Sequence, residues 1–189
     1  MKMEKFKLDA ANALVVLIDI QVRLSAAMPE DVLKNTVQKS GLLMDAADVM
    51  GLPVIVTEQY PKGLGGTVAA LEERINKYSY TKISKLSFSC CGEESFMRAL
   101  EGTGCQTVIL CGQETHVCVL QTALDLMEKG YKVFVAGDAV CSREKLNWQF
   151  ALEEMRQAGC VVEPVESILF KMLGAAGSPA FKAISRLVK

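Results

Sequence analysis

Uninterrupted apolar runs constrain the fold of this chain more than any other feature. They are Ala13 to Ile18 (ALVVLI), Pro53 to Thr57 (PVIVT) and Val108 to Leu110, and Tyr131 to Ala136 (YKVFVA) reads as a further strand. A strand with one wet face alternates apolar and polar residues, whereas a strand covered on both faces does not. These runs therefore predict a largely parallel sheet buried between two helical layers.

The segments between the runs read as helices. Pro29, Glu30 and Asp31 open one that extends to about Met50 and is closed by Gly51; Thr67 to Lys77 is a shorter one, with Thr67 as its cap. Glu93 to Glu101 ends at Gly102 and Gly104, and Glu144 to Ala158 at Gly159. Tyr78 to Ser84 alternates as an exposed edge strand does, and Cys160 to Val165 is a last strand whose Pro164 suits an edge. Ser178-Pro179 starts a terminal helix with Lys182, Arg186 and Lys189 outward. The expected fold is α/β, a three-layer Rossmann-like arrangement with a mostly parallel sheet of about six strands. With 189 residues, half of them hydrophobic, and no repeat or linker, residues 1–189 read as a single domain.

Charge and cysteine usage narrow the function classes. Net charge is −1 from 21 basic and 22 acidic residues, and the basic start, Lys2, Lys5 and Lys7, is broken by Glu4 and Asp9. No basic stripe suits a phosphate backbone, so no nucleic-acid partner is expected. No apolar run approaches the ~20 residues that span a bilayer, and the first residues lack a signal peptide's apolar core, so no membrane partner is expected. Seven cysteines, an odd set without CxxC spacing, read as reduced thiols in a cytoplasmic protein. His116 is the only histidine, which excludes a histidine-rich metal site. No GxGxxG follows the first strand, which argues against a dinucleotide. No cofactor or metal is expected.

In a parallel sheet the carboxyl ends of the strands face the ligand crevice. Asp19 follows the first run, as a site carboxylate or as a turn or capping residue. Glu58 to Gly66 is rich in breakers and either lines a pocket or forms a long turn. Lys85 follows the third strand, as a site cation or as solvated surface. Asp138 reads as structural, accepting backbone N–H bonds. Val108 to Gly130 reads as strand, turn and helix, which puts Cys118 in the helix's first turn. There the macrodipole and a nearby lysine can bring a thiol from ~8.5 to roughly 3.5 to 7.5. The alternative is that Cys118 is one more small buried hydrophobe.

Three pieces carry a resemblance: LIDIQ at 17–21, SKLSF at 84–88, and CGQETHVCVLQTALDLMEKGYKVFVAGDAV at 111–140. Together with TEQYPKGLGGTV and ESILFKMLG they make the chain similar, nearly end to end, to the isochorismatase-like cysteine hydrolases. The resemblance implies a catalytic group of Asp19, Lys85 and Cys118. It also implies a cis peptide between Gln113 and Glu114, and an oxyanion hole made of the Glu114 and Cys118 backbone N–H groups. The activity implied is hydrolysis of an amide-type C–N bond of a small metabolite through a thioester, by a homo-oligomer. The loop after Thr57 has no histidine, unlike that of the metal-holding nicotinamidases. Cys118 itself departs from isochorismatases, which cleave a vinyl ether without a nucleophilic cysteine. Gln21, Gln59, Tyr60, Phe88, Gln113 and His116 are candidate pocket residues. The competing readings are an idle scaffold or oligomeric interaction protein, and a thiol redox sensor built on Cys90-Cys91.

Overall fold

The computed structural model describes residues 3–188, so Lys2 and Lys189 lie outside the described residues. Six strands form one sheet: β1 (Ala13–Ile18), β2 (Val54–Gln59), β3 (Thr81–Lys85), β4 (Thr107–Gln113), β5 (Lys132–Cys141) and β6 (Val161–Glu163). The order is β3-β2-β1-β4-β5-β6, and every neighbouring pair is parallel. The chain winds outward one way from β1 and the other way from β4. The crevice of such a sheet opens at the carboxyl ends of β1 and β4.

Alternate residues of each inner strand feed the two helical layers. Val15, Leu17, Val54, Val56, Ile109 and Phe134 pack on one face against Leu43 and Met44 of α2 (Glu30–Met50), Leu71 of α4 (Ala69–Tyr78), Ile168 of α8 (Val165–Leu173) and Ile184 of α9 (Pro179–Leu187). Leu14, Val16, Ile18, Val108, Leu110 and Val133 pack on the other. Their partners are Phe96 and Leu100 of α5 (Glu94–Gly102), Leu126 of α6 (Leu120–Glu128) and Met155 of α7 (Lys145–Ala158). Two short helices, α1 (Val22–Ser25) and α3 (Pro61–Leu64), border the carboxyl end of the sheet.

Several boundaries differ from the sequence expectation. Tyr78 ends α4 instead of opening β3. Its hydroxyl donates to Asp45 Oδ1 at 3.0 Å, and the turn into β3 comes at Ser79, in the left-handed region at φ +56°. β5 runs five residues past Ala136, so Asp138 lies inside a strand. Its carboxylate accepts the Val165 N–H at 2.7 Å, a structural use. β6 stops at Glu163 because Pro164 caps α8, a helix that periodicity alone did not reveal.

β4 also extends further than its apolar run, through Cys111 and Gly112 to Gln113. Gly112 has φ +128°, and the register to β5 shifts between Leu110 and Gly112. A Cβ here would stand 2.0 Å from the Ile18 carbonyl oxygen of β1. Only glycine lets β4 close on β1 where the crevice begins. Gly112→Ala is therefore expected to cost about 3 kcal/mol or more, read as a fall in the urea midpoint at unchanged slope.

Candidate functional site

Three strand ends bring Asp19, Lys85 and Cys118 together. Asp19 follows β1 with φ +51°, a left-handed conformation that turns its side chain inward under the crevice. Its backbone is held on both sides: its N–H donates to Thr57 O at 3.2 Å, and its carbonyl accepts from Gln21 N at 2.8 Å and Gln113 Nε2 at 3.1 Å. Gln113 also donates to Ser25 Oγ, and its Oε1 lies 3.5 Å from Cys141 Sγ. The carboxylate accepts the Thr57 hydroxyl on Oδ1 at 2.7 Å.

Lys85 is the last residue of β3, an edge strand, yet its ammonium is fully buried. Nζ lies 2.6 Å from Asp19 Oδ2, with both side chains at zero exposure. It donates to Gln59 Oε1 at 2.7 Å, Phe88 O at 3.0 Å and Ser87 O at 3.2 Å. These acceptors match the three N–H groups of an ammonium. Burial works most strongly against the lysine's charge, but the Asp19 carboxylate and the Cys90 and Cys118 sulfurs together outweigh it, and the pKa is raised above its ordinary value.

Cys118 stands in a π-helical turn, Thr115–Val119, that precedes α6. Glu114 O accepts the Val119 N–H at 3.3 Å, and Thr115 O accepts the Leu120 N–H, both across five residues. Cys118 is buried, with the residue 5% exposed. Burial first, and then the Asp19 charge, push its pKa up to about 12, with Lys85 opposing. This corrects the expectation of a lowered thiol: burial dominates, the Asp19 charge adds to it, and the lysine beside that carboxylate does not offset the two. The resting group is a thiol beside a carboxylate that can take its proton.

The preceding peptide, Gln113–Glu114, is cis. The Glu114 carboxylate is held by Arg143 through its backbone N at 3.0 Å, Nη2 at 2.9 Å and Nε at 3.2 Å. His116 Nδ1 pairs with Ser142 Oγ at 2.9 Å, on the β5 side of the turn. Residues 114 and 116 thus tie the Cys118 turn to the loop after β5.

The other candidate pocket residues divide. Gln59 reaches Lys85 directly. Gln21, fully buried, pins the loop after β2: its Nε2 donates to Gln59 O at 3.0 Å and Gly65 O at 2.6 Å, and its Oε1 accepts Gln59 N at 2.7 Å. Tyr60 packs its ring over Gly63 and stays half-exposed, and Phe88 offers its carbonyl to Lys85 while its ring is exposed. Glu58 fastens the same loop, accepting Thr67 N and Oγ1 at 2.8 Å each beside Lys82 at 3.2 Å. Sequence reasoning passed over Thr57 and Arg143; the only trace of Thr57 was a hydroxyl closing an otherwise apolar strand. An open cavity of about 720 Å³, lined by Trp148, Leu152, Asp138 and Glu163 among others, lies alongside at the ends of β5 and β6 and includes none of Asp19, Lys85 or Cys118.

Residues 13–167 match the family model described as the isochorismatase domain. A secreted isochorismatase effector, Isc1, from Phytophthora sojae is 41% identical over 160 residues, 83% of this chain and 76% of the relative. Among solved structures, the MAR1 ribonuclease of Caenorhabditis elegans superposes with a TM-score of 0.87 at 35% identity, over 96% of this chain and 92% of that one. The YcaC gene product of Escherichia coli, described as an octameric hydrolase of unknown specificity, gives 0.84 at 26%, over 96% and 90%.

Removing one member of the buried pair strands the other's charge, whereas removing both does not. Lys85→Met is expected to lose about 3 to 5 kcal/mol in urea unfolding, and Lys85→Met combined with Asp19→Asn to recover most of it. Because the lysine's pKa is raised on folding, its contribution is whole below its ordinary 10.5 and is lost as pH climbs through the raised value. The gap between wild type and Lys85→Met should accordingly narrow only in strong alkali.

Proposed function

The chain belongs to the isochorismatase family, and from that premise we propose that it is a cysteine hydrolase that cleaves an amide-type C–N bond of a small metabolite. The observation that carries the reading is the meeting of a buried carboxylate, a buried ammonium and a thiol at the carboxyl ends of β1, β3 and the turn after β4.

With the thiol pushed up to about 12, a free thiolate at neutral pH costs several kcal/mol. Proton loss is therefore coupled to attack: the Cys118 proton passes to Asp19 as sulfur bonds to the substrate's carbonyl carbon. The backbone N–H groups of Glu114 and Cys118 receive the oxyanion, the family's arrangement, in which a donor of this kind is worth about 3 to 4 kcal/mol. Collapse breaks the C–N bond, and Asp19 returns the proton to the leaving nitrogen. Water then gives a proton to Asp19 and its oxygen to the thioester carbon; the C–S bond breaks, the acid leaves, and Asp19 hands that proton to the Cys118 sulfur. Lys85, 2.6 Å from Oδ2, holds the Asp19 carboxylate in place through these steps.

The likeness to a chain described as a ribonuclease raises RNA as a second substrate class. The charge pattern weighs against it: net charge is −1, and the ammonium in the site is already paired. Seven free cysteines support a reducing, cytoplasmic setting, although the family includes a secreted effector. The octameric relative and the exposed apolar pair Leu146 and Phe150 on α7 support a homo-oligomer. Among the described residues, no helix is long and apolar enough to cross a membrane.

Sedimentation equilibrium is expected to give a mass that is a multiple of 20.6 kDa, and a mass of one chain at micromolar concentration rejects the oligomer. The chemistry is tested by iodoacetamide labelling at pH 7.5, read by peptide mass, beside a panel of small amides and an RNA oligonucleotide. Cys118 should label ahead of Cys91, although Cys91 is more exposed and its own thiol is pushed up to about 11. Cys118→Ala should abolish amide hydrolysis. Equal labelling of the two thiols, or a turnover that survives Cys118→Ala, rejects the reading.

A further inference from the structure

We propose that Thr57 is a positioning residue that decides which oxygen of Asp19 receives the Cys118 proton, and that Cys90 fixes the direction of the Thr57 hydroxyl. The inference rests on the hydrolase reading above and goes beyond it, because neither residue belongs to the group that the family resemblance implied.

Thr57 is fully buried where β2 passes under Asp19. It holds the aspartate at both ends: its carbonyl accepts the Asp19 N–H at 3.2 Å, and its hydroxyl donates to Oδ1 at 2.7 Å. A hydroxyl has one hydrogen and an ionised carboxylate can only accept, so that hydrogen is committed to Oδ1. Behind it, Cys90 Sγ lies 3.9 Å from Thr57 Oγ1, a distance suited to an S–H donor. Burial, and then the Asp19 charge, push the Cys90 thiol up to about 12, so it keeps its hydrogen at neutral pH. The polarity of the chain is thus fixed as Cys90 S–H to Thr57 O–H to Asp19 Oδ1.

Cys90 is itself anchored. Its backbone N–H donates at 2.9 Å to Oγ1 of Thr122, a residue on α6 one turn beyond Cys118. The thiol that orients Thr57 and the thiol that attacks are therefore referred to the same helix. With Oδ1 already accepting the Thr57 hydrogen, Oδ2, which accepts no hydrogen bond although it lies beside Lys85, is the less encumbered oxygen to take a proton. Without the Thr57 hydroxyl the carboxylate gains a free, buried oxygen, becomes more basic, and can present either oxygen to the thiol.

The test is the pH dependence of Cys118 alkylation by iodoacetamide in the full chain, read by peptide mass, with melting temperature recorded beside it. The acid limb of that profile reports the first proton lost from the Asp19 and Cys118 pair. Thr57→Val should move the limb up by about one pH unit, Thr57→Ser should return it to the wild-type position, and Cys90→Ala should produce a smaller shift in the same direction. Thr57→Ala, which places no methyl against the carboxylate, should match Thr57→Val and serves if the valine variant does not fold. A lowered melting temperature with the limb unmoved in both the valine and alanine variants overturns the role of Thr57. A wild-type profile with no acid limb overturns this inference together with the use of Asp19 as base, so the two failures are told apart in one data set.

Discussion

The contact between Asp19 and Lys85, shut away from solvent on both sides, is the constraint around which the carboxyl end of the sheet is arranged. Two charges out of water are tolerable only when their remaining polar atoms find partners. The structure supplies them from four directions: Thr57 on β2, Gln59 at its end, and the carbonyls of Ser87 and Phe88. Strand spacing explains the residue type. β3 and β1 are separated by β2, about 10 Å across, and among the cationic side chains a lysine stem with a compact head fits that span with room for three acceptors. The pair then adds to what burial does to the thiol, since a lysine whose charge is matched gives Cys118 little help toward ionisation.

Much of this architecture was legible in the residues, and what was not has physical causes. β1 and β2 were plain because strands buried on both faces leave unbroken apolar runs. The far end of β5 was hidden because Gly137 and Asp138 look like a turn, whereas Asp138 is held in the strand by the Val165 N–H and by Asn35, which donates to its carbonyl at 2.8 Å. α8 was missed because Pro164 reads equally as a strand interruption and as a helix cap. At the site, Asp19, Lys85 and Cys118 could be named from strand ends and motif likeness, yet their protonation could not. Ionisation follows from distances between segments some 66 and 99 residues from Asp19 in the chain, and no local pattern carries those distances. Thr57 was invisible for a different reason: threonine is a good strand former, and nothing in PVIVT distinguishes a working hydroxyl from a β-branched filler.

The cysteines show how one residue type divides by environment. Cys105 and Cys111 lie against the β1 carbonyls of Ala13 and Val16 at 3.5 Å and 3.7 Å and otherwise pack as small apolar groups. Cys90 and Cys141 do more, each lying behind a residue that grips Asp19, through Thr57 in one case and Gln113 in the other. The raised pKa values of these two thiols suit that use, because a donor must keep its hydrogen.

The π-helical turn at Thr115–Val119 has a consequence for how this segment can vary. A regular helix advances 100° per residue, and a wide turn absorbs one residue more than the regular path requires. Deleting Val119 would restore the regular path and swing every side chain before it, Cys118 included, by about that angle relative to α6. Cys118 would then face a strand or the solvent instead of Asp19. The segment between β4 and α6 can therefore tolerate exchanges of side chain far better than a change of length, and a gap in an alignment here would mark a relative whose chemistry has been lost or rebuilt.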